Sequence, residues 1–144
     1  MPSNPVIKPI TVKQVETVTH SLAQELMLYD EPIPEFSTRF PNKLESCLFT
    51  PFQKFGGRAL YRGIIGKGST VFYLMIKNHP FQNGNKRIAV MTLFYFLFIN
   101  GWWLDVSNDE LYEFSVRVAK SEAADHMKVR SRIMSFLRKH KIKR

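Results

Sequence analysis

Between Ile88 and Ile99 the chain is apolar except at Thr92 and Tyr95, and Asn100-Gly101 ends the run. Length decides what such a run can become. A membrane-spanning helix needs about 18 or more apolar residues, so this one is too short, and an Asn-Gly pair is a helix stop signal. A helix that is apolar on every side must be surrounded by other elements. The sequence therefore predicts a domain built around one buried central helix. Material for the surround is present. Of 144 residues 44% are hydrophobic, twelve Phe among them, which excludes disorder for the bulk of the chain.

The remaining segments read mostly as helices. Thr11 and Gln14 form a capping box, with Ile10 and Val15 as the staple. Val12, Val15, Val18, Leu22 and Leu26 then recur at three- and four-residue steps, predicting an amphipathic helix to about Leu28 with that face inward. Pro32 and Pro34 break it. A short helix is expected between Asn42 and Phe49. Thr50 to Gly68 carries Pro51, Gly56-Gly57, Gly63, Gly66 and Gly68 among aromatics, and reads as an exposed hairpin or flap followed by a loop. Ser69 to Asn78 reads as a mostly buried helix. Ser107 and Glu110 mark a second capping box, with Val106 and Leu111 as its staple, opening a helix to about Lys120. A last helix from about His126 to Lys139 is expected to turn Met127, Ile133, Met134, Phe136 and Leu137 inward. The expected class is all-α with one small β-hairpin flap, as a single domain over residues 1–144.

Charge narrows the partners. Lys and Arg total 21 against 12 Asp and Glu, a net of +9. Eight of the cations follow Asp125, the last acidic residue, so the body before Lys128 holds thirteen cations against twelve anions. The basic excess belongs to the C-terminal helix and tail, 126–144, expected to be a solvated face with a frayed end. Nucleic-acid binding through that tail is the weakest functional reading. The single Cys47, beside Leu44 and Leu48, reads as an ordinary buried thiol. No His/Cys cluster has zinc-ligand spacing. Met1 to Pro9 has no apolar core of a secretory leader, so a cytoplasmic setting without a membrane anchor is expected.

The chemistry concentrates in His79-Pro80-Phe81-Gln82-Asn83-Gly84-Asn85-Lys86-Arg87, at the N-terminus of the central helix. Helix N-termini offer unpaired amides and partial positive charge to anions. Gly84 lets a ligand approach the backbone. Lys86 and Arg87 sit where the helix dipole disfavours cations, and an anion there offsets the conflict. His79 is the one obvious general base nearby. Each residue alone also has a plain reading, as a loop His, an Asn-Gly turn or a solvated Lys-Arg pair. Together they describe phosphoryl or nucleotidyl transfer.

This nine-residue segment resembles the signature of the Fic/Doc (Fido) family, His-x-Phe-x-Asp/Glu-Gly-Asn-Gly/Lys-Arg, and its Asn85-Lys86-Arg87 form is similar to the Doc branch. Phe55-Gly56-Gly57 with Leu60-Tyr61 resembles the family's flap, and Phe98 to Trp102 the usual end of its central helix, so the likeness covers about 43–120. The resemblance implies a compact helical bundle with a hairpin flap. It implies transfer of a phosphoryl group or AMP from ATP or another nucleoside triphosphate to a Ser, Thr or Tyr hydroxyl of a target protein, with Mg2+ as cofactor. By position, His79 is the implied base and Phe81 the anchor of the loop. Gly84, Asn85, Lys86 and Arg87 are the implied phosphate site, and Phe55, Gly56 and Gly57 the target-aligning flap. Val90 stands where the Fic branch has a second Arg, which favours Doc-like phosphoryl transfer over AMP transfer. Asn83 replaces the family's metal-holding acid, which implies weakened Mg2+ binding and opens the alternative of a pseudoenzyme that binds nucleotide or a partner. Some members block their own site with a helix bearing Ser/Thr-x-x-x-Glu-Gly/Asn. Ser21 to Leu26 departs from that pattern at Leu26 and reads as core-facing helix, so restraint is expected from a separate antitoxin chain of a toxin–antitoxin pair.

Overall fold

The computed structural model describes residues 6–28 and 30–144; residues 1–5 of the segment read for a leader lie outside them. Helix α1 runs over residues 12–26, as Val12–Gln14, a π-helical turn Val15–Thr19, and His20–Leu26. The Thr11 hydroxyl accepts the Gln14 amide at 3.1 Å, and the Gln14 side chain accepts the Thr11 amide at 2.9 Å. Ile10 and Val15 are buried as the staple requires. The π turn widens the helix and rotates the turns beyond it. Val15, Thr19, His20, Ala23 and Met27 therefore face the core, while Leu26, expected inward, is 57% exposed. The helix stops at Leu26 rather than Leu28, and the Ser21–Leu26 stretch buries only Ala23.

Helix α2, Pro41–Phe49, buries Leu44, Cys47 and Leu48. Burial pushes the Cys47 thiol up to about 12, which keeps it protonated and inert. A 3-10 turn, Thr50–Phe52, leads into the hairpin of β1 (Lys54–Phe55) and β2 (Arg58–Ala59), paired antiparallel with Phe55 opposite Arg58. Its turn residues Gly56 and Gly57 have φ of 57° and 78°, which is why both are glycine. Helix α3 then spans Gly63–Lys77, so the loop expected through Gly68 is helix instead. Its glycines serve packing: a Cβ on Gly66 would stand 3.2 Å from the Tyr61 backbone, and one on Gly68 would meet Leu93 and Leu137 at 3.6 Å.

Helix α4, Asn85–Ile99, is the central helix, with Ile88, Ala89, Leu93, Phe96 and Leu97 fully buried against α1 and α3. It ends at Asn100, with Gly101 at φ 85°. The Asn100 carboxamide donates to Phe96 O (2.8 Å) and Lys8 O (3.0 Å) and accepts from the Lys8 amide (2.7 Å), tying the entering chain to the helix end. Helix α5, Asn108–Lys120, starts at Ser107, whose hydroxyl accepts the Glu110 amide. Helix α6, His126–His140, buries Val129, Ile133 and Leu137. That four-residue stepping puts Met127, expected inward, on the opposite side at 71% exposure.

The end of the chain departs from expectation. Lys141–Lys143 forms strand β4, antiparallel to β3 (Trp102–Leu104), with Trp102 opposite Lys143 and Leu104 opposite Lys141. The Lys141 ammonium sits 3.6 Å from the Trp102 ring centroid. The Arg144 amide donates to Gly101 O and its guanidinium to Phe98 O. The tail is therefore docked rather than frayed, because the edge of β3 and the helix-end carbonyls give it partners. Among the described residues no helix is long and apolar enough to cross a membrane. Removing residues 141–144 exposes that edge, and should lower the unfolding free energy by about 1–3 kcal/mol at roughly 1 kcal/mol per net hydrogen bond lost. Urea titration of the truncated and full chains checks this; an unchanged midpoint would mean the strand frays in solution.

Candidate functional site

The loop from His79 to Gly84 owes its shape to one side chain just beyond it. Asn85, the first residue of α4, is buried; its carboxamide oxygen accepts the Phe81 amide at 2.9 Å and its nitrogen donates to the Phe81 carbonyl at 2.9 Å. Both main-chain groups of one loop residue are satisfied by a side chain four positions on, closing a tight ring. Phe81 is driven inward and is 3% exposed, its ring 6.0 Å from that of Phe36 and 5.7 Å from that of His20. Pro80 O accepts the Phe40 amide at 2.8 Å, tying the loop to the start of α2.

His79 is exposed and sits at φ 49°, a left-handed conformation that costs a non-glycine residue about 1 kcal/mol. Its Nδ1 lies 3.5 Å from Asn85 Nδ2. As an acceptor from that amide, Nδ1 places the ring proton on Nε2. A base acting through Nε2 needs the other tautomer, and at 3.5 Å the contact given up is weak.

Gly84 has φ 79°, and a Cβ there would come within 2.7 Å of Ile33 Cγ1. Glycine is required twice over, by the backbone and by the strap of chain between α1 and α2. Asn83 turns its carboxamide oxygen onto the Gly84 amide at 2.8 Å. That oxygen is neutral and already engaged, and among the described residues no group of three or more His, Cys, Asp or Glu could hold a metal. The donor set at Asn83 does not fit a protein-held Mg2+.

Arg87 is 3% exposed and points at the strap. Its guanidinium donates to Glu31 O at 2.7 Å and Met27 O at 3.3 Å. The cation placed against the helix dipole thus finds carbonyl oxygens inside the protein, beside a cavity of about 310 Å3 lined by Gln24, Glu31, Ile33 and Arg87 among others. Gln24 donates to Ile33 O and His20 Nε2 donates to Pro34 O at 2.9 Å, so α1 holds the strap from beneath. Lys86 is half-buried at the same helix start. The hairpin places Phe55 outward at 79% exposure, with Gly56 and Gly57 exposed at its tip.

The structure thus places His79, Phe81, Asn83 and Gly84 on one loop clamped by Asn85, and directs Arg87 at the strap. His20, Ile33 and Phe36 belong to this arrangement, and no motif in the sequence points to them. The one available signal is a titratable His20 on an amphipathic helix, and the π turn obscures which side faces inward.

A family model described as Fic/DOC family matches residues 9–97, from the start of α1 through most of α4. Searches of curated proteins and of solved structures return no match.

Burial lowers the His20 pKa from 6.5, opposed by the bond to Pro34 O and by the charge of Glu16. The folded chain then binds fewer protons than the unfolded one below that value. Stability is full above about pH 6.5 and falls as pH drops toward the lowered folded pKa. Urea midpoints across that range should decline for the native chain and decline less for His20→Gln. Separately, Asn85→Ala should cost about 2–6 kcal/mol, since two buried main-chain groups lose partners at about 1–3 kcal/mol each. Thermal unfolding of that variant is the check, and a change under about 1 kcal/mol would rule out the clamp.

Proposed function

Since the chain belongs to the Fic/DOC family, we propose that it is a transferase moving a phosphate-containing group from a nucleoside triphosphate such as ATP to a Ser, Thr or Tyr hydroxyl of a target protein. The observation that carries this reading is the loop itself: an exposed His79 on a strained backbone, in a loop that Asn85 clamps through Phe81 to the N-terminus of a buried helix. An imidazole held at the mouth of an anion-favouring helix end is placed to take a hydroxyl proton while the phosphate chain rests on the amides after Gly84.

In this reading Lys86 supplies positive charge to the phosphates, and Arg87 joins it when the strap carbonyls release its guanidinium. The hairpin at Phe55, Gly56 and Gly57 aligns the target segment alongside. Lys86 together with Val90 favours phosphoryl over AMP transfer, as in the Doc branch. No step is assigned to Mg2+, because Asn83 offers a neutral oxygen already bonded to Gly84. An antitoxin chain is the proposed source of restraint on a toxin of this kind.

Asn83 also favours a second reading, a Fido pseudoenzyme that retains the fold and binds nucleotide or a partner without transfer. Incubating a lysate with radiolabelled ATP and the chain, Asn83→Asp or His79→Ala separates the two. The transferase reading expects target labelling, more of it with Asn83→Asp, and a loss of about 10²–10⁴-fold with His79→Ala. Labelling by neither the chain nor Asn83→Asp sinks it. Mass spectrometry of the target then distinguishes a gain of phosphate from a gain of AMP.

A further inference from the structure

Charge around the hairpin is one-sided. No Asp or Glu occurs between Glu45 and Asp105, and none after Asp125. Three elements from those acid-free stretches meet at Tyr61: the β1–β2 hairpin, the first turns of α3, and α6 packed along α3. The Tyr61 carbonyl accepts Lys67 Nζ at 2.7 Å, and its ring lies 4.7 Å from the Arg130 guanidinium carbon. Lys67 also sits 5.6 Å from the Phe52 ring centroid. Its pKa is lowered by burial and then by the charge of Lys54, so the β1 ammonium bears on the same ground. Arg58 and Arg62 are exposed nearby in the chain.

All the partners found for Lys67 and Arg130 are neutral, a carbonyl or an aromatic face. The ion pair formed among the described residues is elsewhere, Lys13 with Glu16. Arg130 Nε is buried and has no hydrogen-bond acceptor. Like charges gathered without a counter-ion repel one another. Nε is enclosed, so it is this repulsion, among Lys54, Lys67 and the outer nitrogens of Arg130, that an arriving carboxylate relieves.

We propose that the base of the hairpin is an anion-accepting exosite that selects target proteins carrying Asp or Glu beside the hydroxyl to be modified. The proposal rests on the transferase reading and adds its substrate class. An acidic peptide fits better than a nucleic acid because Lys67 and Arg130 converge on one tyrosine rather than forming a stripe along a phosphate backbone. The adjoining hairpin also has free main-chain edges of the kind an extended peptide pairs with.

Fluorescence anisotropy with the full chain tests it. The probes are a labelled peptide with its acceptor hydroxyl flanked by glutamates, the same peptide with glutamines, and a single-stranded RNA of matched length. The glutamate peptide should bind about tenfold or more tighter than the glutamine peptide at low salt and lose most of that advantage at about 0.5 M NaCl, where screening is strong. The exposed double substitution Lys54→Glu/Arg58→Glu should abolish the preference without changing thermal unfolding. Equal binding of the two peptides, a preference that survives the double substitution, or tighter binding of the RNA overturns the exosite. Binding needs no chemistry, so the two readings fail separately. A glutamate preference with no transfer of label from ATP counts against the transferase alone. Transfer of label to both peptides at equal rates, with equal binding, counts against the exosite alone.

Discussion

Two asparagine carboxamides bracket the central helix, and the rest of the fold is arranged around the segments they hold. Asn85 at its start satisfies both main-chain groups of Phe81. Asn100 at its end does the same for Lys8 and takes the Phe96 carbonyl as well. Between them lies a largely apolar cylinder. Among the described residues its one mid-helix side-chain bond to another element is that of the Thr92 hydroxyl to Thr19, so its ends carry most of the bonds that fix its relation to other segments. The loop that carries His79 is shaped by one of these bonds and the entry of the chain by the other.

The start of α4 resolves an electrostatic conflict in an unexpected way. Lys86 and Arg87 stand against the helix dipole, and from sequence an external anion is the evident remedy. The structure gives Arg87 two carbonyl oxygens of the strap instead. The strap is in turn held by His20 and Gln24 from α1 and pressed by Ile33 onto Gly84. Whatever binds at the loop therefore competes with, or adds to, a contact the protein already makes with itself.

Much of this is legible in the sequence, where local chemistry decides local structure. The capping box at Thr11, the stop at Asn100-Gly101 and the hairpin at Gly56-Gly57 all obey short-range rules, whereas the burial of Phe81 is legible only through the resemblance of its motif. The failures share a cause: each depends on geometry or a neighbour that the local pattern does not show. Gly66 and Gly68 look like loop residues because nothing local shows Tyr61, Leu93 and Leu137 crowding them. The π turn in α1 shifts the inner face away from Leu26, and Met127 loses its place to Val129. The tail looks frayed because its partner, β3, lies some forty residues earlier. At the site, the motif residues can be named, but the direction of Arg87 depends on a strap that no motif includes.

The docking of Lys8 on Asn100 and of Arg144 on Gly101 brings these two segments to the same end of α4. That helix has fifteen residues, so its far end, with His79 and Gly84, is about 20 Å away. Lys8 and Arg144 thus both sit at the pole opposite the motif. The architecture sets the pole where these two segments dock apart from the pole that carries the motif.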